Sequence, residues 1–397
     1  MQTWSLCPHC FRMNQILATK ALLAASVFYS IINSVVAEED SRSFVNYDEP
    51  VASYLNRIQK GKQKFAFDSS INLTKWQKEA RGSLVKLIGL EQMRKELINF
   101  KPKVIMPAAI SVNGKYTQQL CEIETEPGIR VPFYYLVPTI SKSEKRFPLF
   151  ISPHGHDKLG LHSYAGAFKD NKHRVEVLAR EGNIAQQAAL RGFVSIAPAT
   201  RGLASELLVP DPKGRHGNRP CRAQLIHCLI SGRTPTAERV WDMQCILDWA
   251  LQQPEVDPEK IVMTGNSGGG VLTAYMAAID LRVTVAVPSC SFTSSISPEG
   301  YIFHCDCCLI PGFRNWGDWK ELAGLIAPRR LLIVHGVEDE LHHRPTVDAL
   351  GSEVQAIFKM AGVPSHISLM WGKDGHRFYP HLMWPFIGQS ISDSRSR

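Results

Sequence analysis

The chain has 397 residues, of which 44% are hydrophobic and 21% charged. That balance builds a globular core and excludes disordered and fibrous classes. The formal net charge is +8, but Lys and Arg are scattered, with no basic helix or aromatic-interleaved stripe, so nucleic acid is not an expected partner.

Arg12 and Lys20 precede an apolar stretch from Ala21 to Ala37 that ends in small residues. Val35 and Ala37 occupy the −3 and −1 positions of a cleavage site before Glu38. Residues 1–37 are therefore predicted to be a signal peptide, which places the mature chain in the periplasm or outside the cell. The alternative is an uncleaved membrane anchor, since the stretch is just long enough to span a bilayer.

Residues 38–100 are expected to form an N-terminal extension. It begins with a polar, loosely packed lead-in to about residue 70. A helix is predicted from Leu73 to Leu97, where Trp76, Ala80, Leu84, Leu87, Ile88 and Leu97 recur at helical spacing. Residues 101–397 form the main domain. Gln118 to Glu124 and Val131 to Val137 read as strands joined by the turn at Glu126-Pro127-Gly128.

The rhythm then changes to short apolar runs: Phe147 to Ser152, Phe193 to Ala197, Ile261 to Thr264, Val283 to Val287, Leu331 to His335 and Ile367 to Trp371. Helical stretches lie between them, at Val177 to Leu190, Glu238 to Leu251, Val271 to Ile279 and Thr346 to Met360. Continuous apolar strands alternating with helices predict a mostly parallel central sheet flanked by helices. Reactive groups in such sheets gather at the carboxyl ends of the strands. Residues 201–237, rich in Gly, Pro and Arg, interrupt the pattern and read as a lid-like insert.

The strongest local signal is Gly265-Asn266-Ser267-Gly268-Gly269, directly after an apolar strand and directly before a helix. This is the strand–elbow–helix setting in which a serine hydroxyl is exposed as a nucleophile, in the α/β-hydrolase fold. The hydroxyl needs a base, and the base needs an orienting carboxylate. The strand ending at His335 is followed by Glu338 and Asp339; Asp339 is the expected acid and Glu338 the alternative. The last strand is followed by Gly375-His376, so His376 is the expected base. The order Ser, Asp, His is that of this fold. For the oxyanion, the backbone N–H of Gly268 and that of His156, in Pro153-His154-Gly155-His156, are the expected donors.

Ten cysteines are present. Cys7 and Cys10 fall in the leader, without a role. The other eight are Cys121, Cys221, Cys228, Cys245, Cys290, Cys305, Cys307 and Cys308. An exported chain meets an oxidising environment that permits disulfides; Cys221 with Cys228, and a member of the 305–308 group with a distant partner, are the candidate pairings, and the connectivity stays open. No metal is expected. No cysteine or carboxylate completes a ligand set near His154 and His156, and neighbouring side chains in His304-Cys305-Asp306-Cys307-Cys308 do not all converge on one ion.

The chain resembles the acetyl xylan esterase and dienelactone-hydrolase-like branch of the α/β hydrolases. The resemblance rests on Pro153-His154-Gly155-His156, Pro198-Ala199-Thr200-Arg201-Gly202, Trp241-Asp242, Ile246-Leu247-Asp248-Trp249 and Glu255-Val256-Asp257-Pro258. It continues through Gly265 to Gly270, Leu325-Ile326-Ala327-Pro328-Arg329-Arg330 and Gly375-His376, and covers roughly residues 75 to 388. It implies cofactor-free hydrolysis of carboxylic esters, such as acetyl groups on polysaccharide. Members of that branch usually carry a proline shortly after the acid, whereas here Leu341-His342-His343-Arg344 intervenes before Pro345. Glucuronoyl esterases differ by an arginine within the elbow, where this chain has Gly268-Gly269. A peptidase of the prolyl-oligopeptidase type and an inactive binding protein of the same fold are the alternatives. The acyl group, the alcohol and the oligomeric state stay open.

Overall fold

The computed structural model describes residues 61–139, 146–297 and 304–393, together with 53, 54 and 57. The expected leader at 1–37 and most of the lead-in lie outside the described residues. Met1–Gly61 and Lys62–Arg397 form separate units, and nearly all of the described residues belong to the second.

Two helices open that unit, α1 (Leu73–Leu87) and α2 (Leu90–Glu96). The Asn72 side chain caps α1 by accepting from the N–H of Lys75. The single helix expected to Leu97 breaks at Gly89, whose φ of 86° lies in the left-handed region. The end of the expected loose lead-in is also packed, not loose. Phe65 is buried, and the Phe67 N–H donates to Glu321 at 2.9 Å.

Strands β1 (Lys103–Ile105), β2 (Ile110–Val112), β3 (Tyr116–Glu126), β4 (Ile129–Pro138) and β5 (Phe147–Ile151) follow. Next come helices α3 (Gly160–Ala165), α4 (Asn171–Ala179) and α5 (Ile184–Ala189), then β6 (Val194–Pro198). The helix predicted over Val177 to Leu190 is thus two helices, because Glu181 takes φ 53° between them and ends the first. Helices α6 (Pro220–Ile230) and α7 (Pro235–Ala250) lead into β7 (Val256–Asn266), α8 (Gly268–Ile279) and β8 (Val285–Ser289). Short helices α9 (Phe313–Trp316) and α10 (Trp319–Gly324) precede β9 (Arg330–Gly336), α11 (Arg344–Met360), β10 (Ile367–Gly372) and α12 (Pro380–Asp393).

The strands form one sheet in the order β1-β3-β4-β6-β5-β7-β8-β9-β10, with β2 on β3. The pairs β1/β3, β2/β3, β3/β4 and β4/β6 are antiparallel, and every pair from β6 to β10 is parallel. Strands β6 and β8 are buried throughout, as parallel strands covered on both faces require. Every residue of α8 is buried too, which locks the helix that follows the expected nucleophile into the core. Among the described residues, no helix is long and apolar enough to cross a membrane.

Candidate active site

The loops after β5, β7, β9 and β10 all leave the sheet at its carboxyl edge, where open α/β sheets hold their ligands. Ser267 terminates β7 and starts α8 with φ 59° and ψ −124°. For a non-glycine residue this conformation costs on the order of 1–3 kcal/mol and persists only where packing imposes it. Packing does so here. The Ser267 N–H donates to the carbonyl of Ser289 at 2.9 Å and its own carbonyl accepts from Val271 at 3.0 Å. A Cβ on Gly269 would overlap the carbonyl of Pro153, so only glycine lets α8 approach the β5 loop this closely. Gly268 is the first residue of α8, and its N–H has no acceptor within the helix.

The β5 loop is held from below by His154, which is fully buried. Its Nδ1 donates to the carbonyl of Gly155 at 2.8 Å, and its Nε2 accepts from the Thr200 N–H at 3.0 Å. The two bonds together require the neutral ring with its hydrogen on Nδ1. Burial accordingly pulls this imidazole down to about 4. Gly155 packs onto the elbow: a Cβ there would lie 2.7 Å from the carbonyl oxygen of Asn266 and 3.1 Å from Cβ of Ser267. His156, the next residue, faces solvent.

Asp339, after β9, is 5% exposed. Its Oδ2 lies 2.8 Å from Nδ1 of His376 and 3.1 Å from Nδ1 of His342. Burial opposes the charge of this carboxylate, but the hydrogen bonds from His342 and His376 outweigh it and hold the group well below the usual carboxylate range. Glu338 is exposed. Of the two candidate acids, the structure brings Asp339 to His376.

Ser267, Gly268, His156 and His376 line one cleft of about 740 Å³. The arrangement puts a strained, accessible hydroxyl in the same cleft as an imidazole whose far nitrogen is engaged by a buried carboxylate. Such a group is suited to accept a hydroxyl proton and return it to a leaving group.

Three features were not anticipated from the sequence. His342 is a second imidazole on Asp339, supplied by the segment that lacks the early proline. Arg201 and Asp242, distant in sequence, meet: Arg201 Nη2 bonds Asp242 Oδ1 at 2.5 Å, Nε bonds Asp242 Oδ2 at 3.0 Å, and Nη1 bonds Glu126 Oε1 at 2.6 Å. This buried fork anchors the start of the 201–237 segment, whose helix α6 also pairs Arg222 with Asp306.

The third concerns the cysteines. All eight described cysteines are free. Cys221 and Cys228 share helix α6 seven residues apart, about 10 Å along its axis, so the candidate bridge between them cannot form while the helix stands. Cys221 Sγ instead lies 3.8 Å from Cys305 Sγ. The expectation that His156 has no cysteine near it is likewise corrected: Cys307 Sγ is 3.6 Å from its Nε2. These residues are far apart in sequence, and the fold brings them together.

Sheet order, elbow and carboxyl-edge cleft together define the α/β-hydrolase fold. No protein-family model matches the chain. Its solved structural neighbours are esterases of that fold. A Bacteroides fragilis protein provisionally assigned as an acetyl xylan esterase superposes with a TM-score of 0.69 at 14% identity, covering 88% of this chain and 97% of its own. The methylesterase BT1017 superposes at 0.60 and 22% identity, covering 86% and 67% respectively. A glucuronoyl esterase from Solibacter usitatus reaches 0.59 at 13% identity, covering 74% and 86%. At these identities the likeness is one of fold. Among curated proteins, YtaP of Bacillus subtilis, a provisionally assigned hydrolase, is 26% identical over 156 residues, which is 37% of this chain and 50% of YtaP. The match thus spans half the length of that relative.

Proposed function

We propose that the chain is an exported serine esterase that removes acetyl groups from carbohydrate or other small acetate esters through an acyl-enzyme. Ser267 attacks the ester carbonyl, His376 takes the hydroxyl proton, and Asp339 holds the imidazole and stabilises its charged form. The N–H groups of Gly268 and His156 bind the oxyanion. His376 then gives its proton to the departing alcohol oxygen. A water, activated by the same imidazole, adds to the acyl carbon and releases acetate and free Ser267.

The observation that supports this reading most is the 2.8 Å contact between Asp339 and His376, opening on the cleft that Ser267 also lines. The leader pattern at 1–37 supports export.

Kinetics on 4-nitrophenyl acetate, acetylated xylan, a methyl-esterified uronate polymer and a peptide amide test it. Turnover of the acetates well above the amide and the methyl ester is expected. Ser267→Ala should lower kcat by about 10⁴-fold or more. Wild-type turnover by Ser267→Ala would refute the reading.

A further inference from the structure

Four side chains from three separate stretches converge beside the cleft. They are His156 from the β5 loop, Cys221 from the first turn of α6, and Cys305 and Cys307 from the turn that precedes α9. One ligand atom from each lies within 4.8 Å of all the others. We infer that these residues form a tetrahedral Cys₃His site for a zinc ion, outside the Ser267–Asp339–His376 group.

The spacing carries the argument. Around a zinc ion with metal–sulfur bonds of about 2.3 Å and a metal–nitrogen bond of about 2.0–2.1 Å, a regular tetrahedron has sulfur–sulfur edges of about 3.8 Å and sulfur–nitrogen edges of about 3.6 Å. The Cys221–Cys305 sulfur separation is 3.8 Å, and Cys307 Sγ lies 3.6 Å from His156 Nε2. A disulfide needs two thiols at about 2.05 Å; it explains neither the third thiol nor the imidazole. Three sulfurs and one nitrogen also suit zinc better than harder cations, which prefer oxygen.

The surroundings supply a second observation. Arg239 is only 3% exposed, and it donates hydrogen bonds to the carbonyl of Arg201, to Gln224 Oε1 and to Cys307 Sγ at 3.5 Å. None of these acceptors is a carboxylate, yet a buried guanidinium needs an anionic partner. Zinc with three thiolates carries a net charge of −1, since three thiol protons leave as the dication binds, and Arg239 balances that charge. The guanidinium then also orients Cys307 from outside the ligand set, as partners of metal ligands commonly do.

With four protein ligands the site is closed and structural. It ties the β5 loop to α6 and to the 305–308 turn. The tie reaches the elbow, because the other nitrogen of His156 lies 3.4 Å from where a Cβ on Gly268 would stand.

The test is metal analysis of the full chain, purified from zinc-supplemented medium without chelator and under a metal-free reductant. About one zinc per chain is expected. Replacement by cobalt should produce thiolate-to-cobalt charge-transfer bands and the intense visible absorption of a tetrahedral site. Cys305→Ser and Cys307→Ser should each lower zinc retention at least tenfold, and Cys228→Ser and Cys245→Ser should leave it unchanged. Should either cluster variant not fold, His156→Ala, altered at the solvent-facing ligand, is expected to weaken zinc tenfold or more and to change the cobalt spectrum. Folded protein without stoichiometric zinc would overturn the inference, as would a Cys221–Cys305 disulfide in peptide maps or zinc whose retention ignores Cys305 and Cys307.

Discussion

Oδ2 of Asp339 lies 2.8 Å from Nδ1 of His376 and fixes which nitrogen of that imidazole faces the cleft. Replacing Asp339 by Asn leaves the shape but favours the wrong tautomer. Steady-state kinetics of Asp339→Asn on an acetate ester should show kcat down by about 10⁴-fold, whereas Glu338→Gln, altered at an exposed position, should stay within about threefold. Equal losses in the two variants would contradict the assignment of the acid.

The same carboxylate sets an acid limit on stability. Its folded pKa is depressed, so its contribution is complete above the unfolded value near 3.9, starts to fall below that value, and is fully lost only once pH has dropped through the folded value. The difference in melting temperature between wild type and Asp339→Asn, compared from pH 6 to pH 3, should therefore be smaller at pH 3 than at pH 6. A gap that stays constant across that range would show that the carboxylate is not held in its charged form.

His342 shares Oδ2 of Asp339 at 3.1 Å. His342→Leu removes one hydrogen bond to a buried charged group, which should cost about 1.5–3 kcal/mol in chemical denaturation. The contact to His376 remains, so kcat should fall far less than in Asp339→Asn.

Arg201 and Asp242 form a bidentate pair in the interior, with Glu126 on the same guanidinium. Removing one partner strands the other as an uncompensated buried charge. Asp242→Ala should lower stability by about 3–5 kcal/mol, measured by urea unfolding, although the pair lies outside the catalytic group.

Gly155 touches the elbow with no room for a side chain. Gly155→Ala must push the β5 loop away from Ser267, and a displacement of this kind costs about 10²-fold in rate. The expected signature is a fall in kcat on acetate esters with circular dichroism unchanged.

What the sequence revealed was mostly local. Ser267 stood out because its glycines, its preceding strand and its following helix are contiguous, and the ends of β9 and β10 pointed to Asp339 and His376 by the order of the fold alone. Long-range convergence was illegible. Cys221 and Cys305 are 84 residues apart, and nothing in either stretch signals that the α6 helix and the 305–308 turn meet at His156. Helix breaks were missed for a different reason: left-handed backbone at Glu181 and Gly89 interrupts runs whose apolar spacing continues across the break. His342 stood in the sequence only as one of the residues between Asp339 and Pro345, and its contact with Asp339 required the fold.

The most direct test of the central claim is the mass of the intact protein, with peptide mapping, after treatment with a fluorophosphonate. The account predicts one adduct per chain, located on Ser267, and no adduct on Ser267→Ala. Folded wild-type protein that stays unlabelled, or a label carried by any other residue, would contradict it.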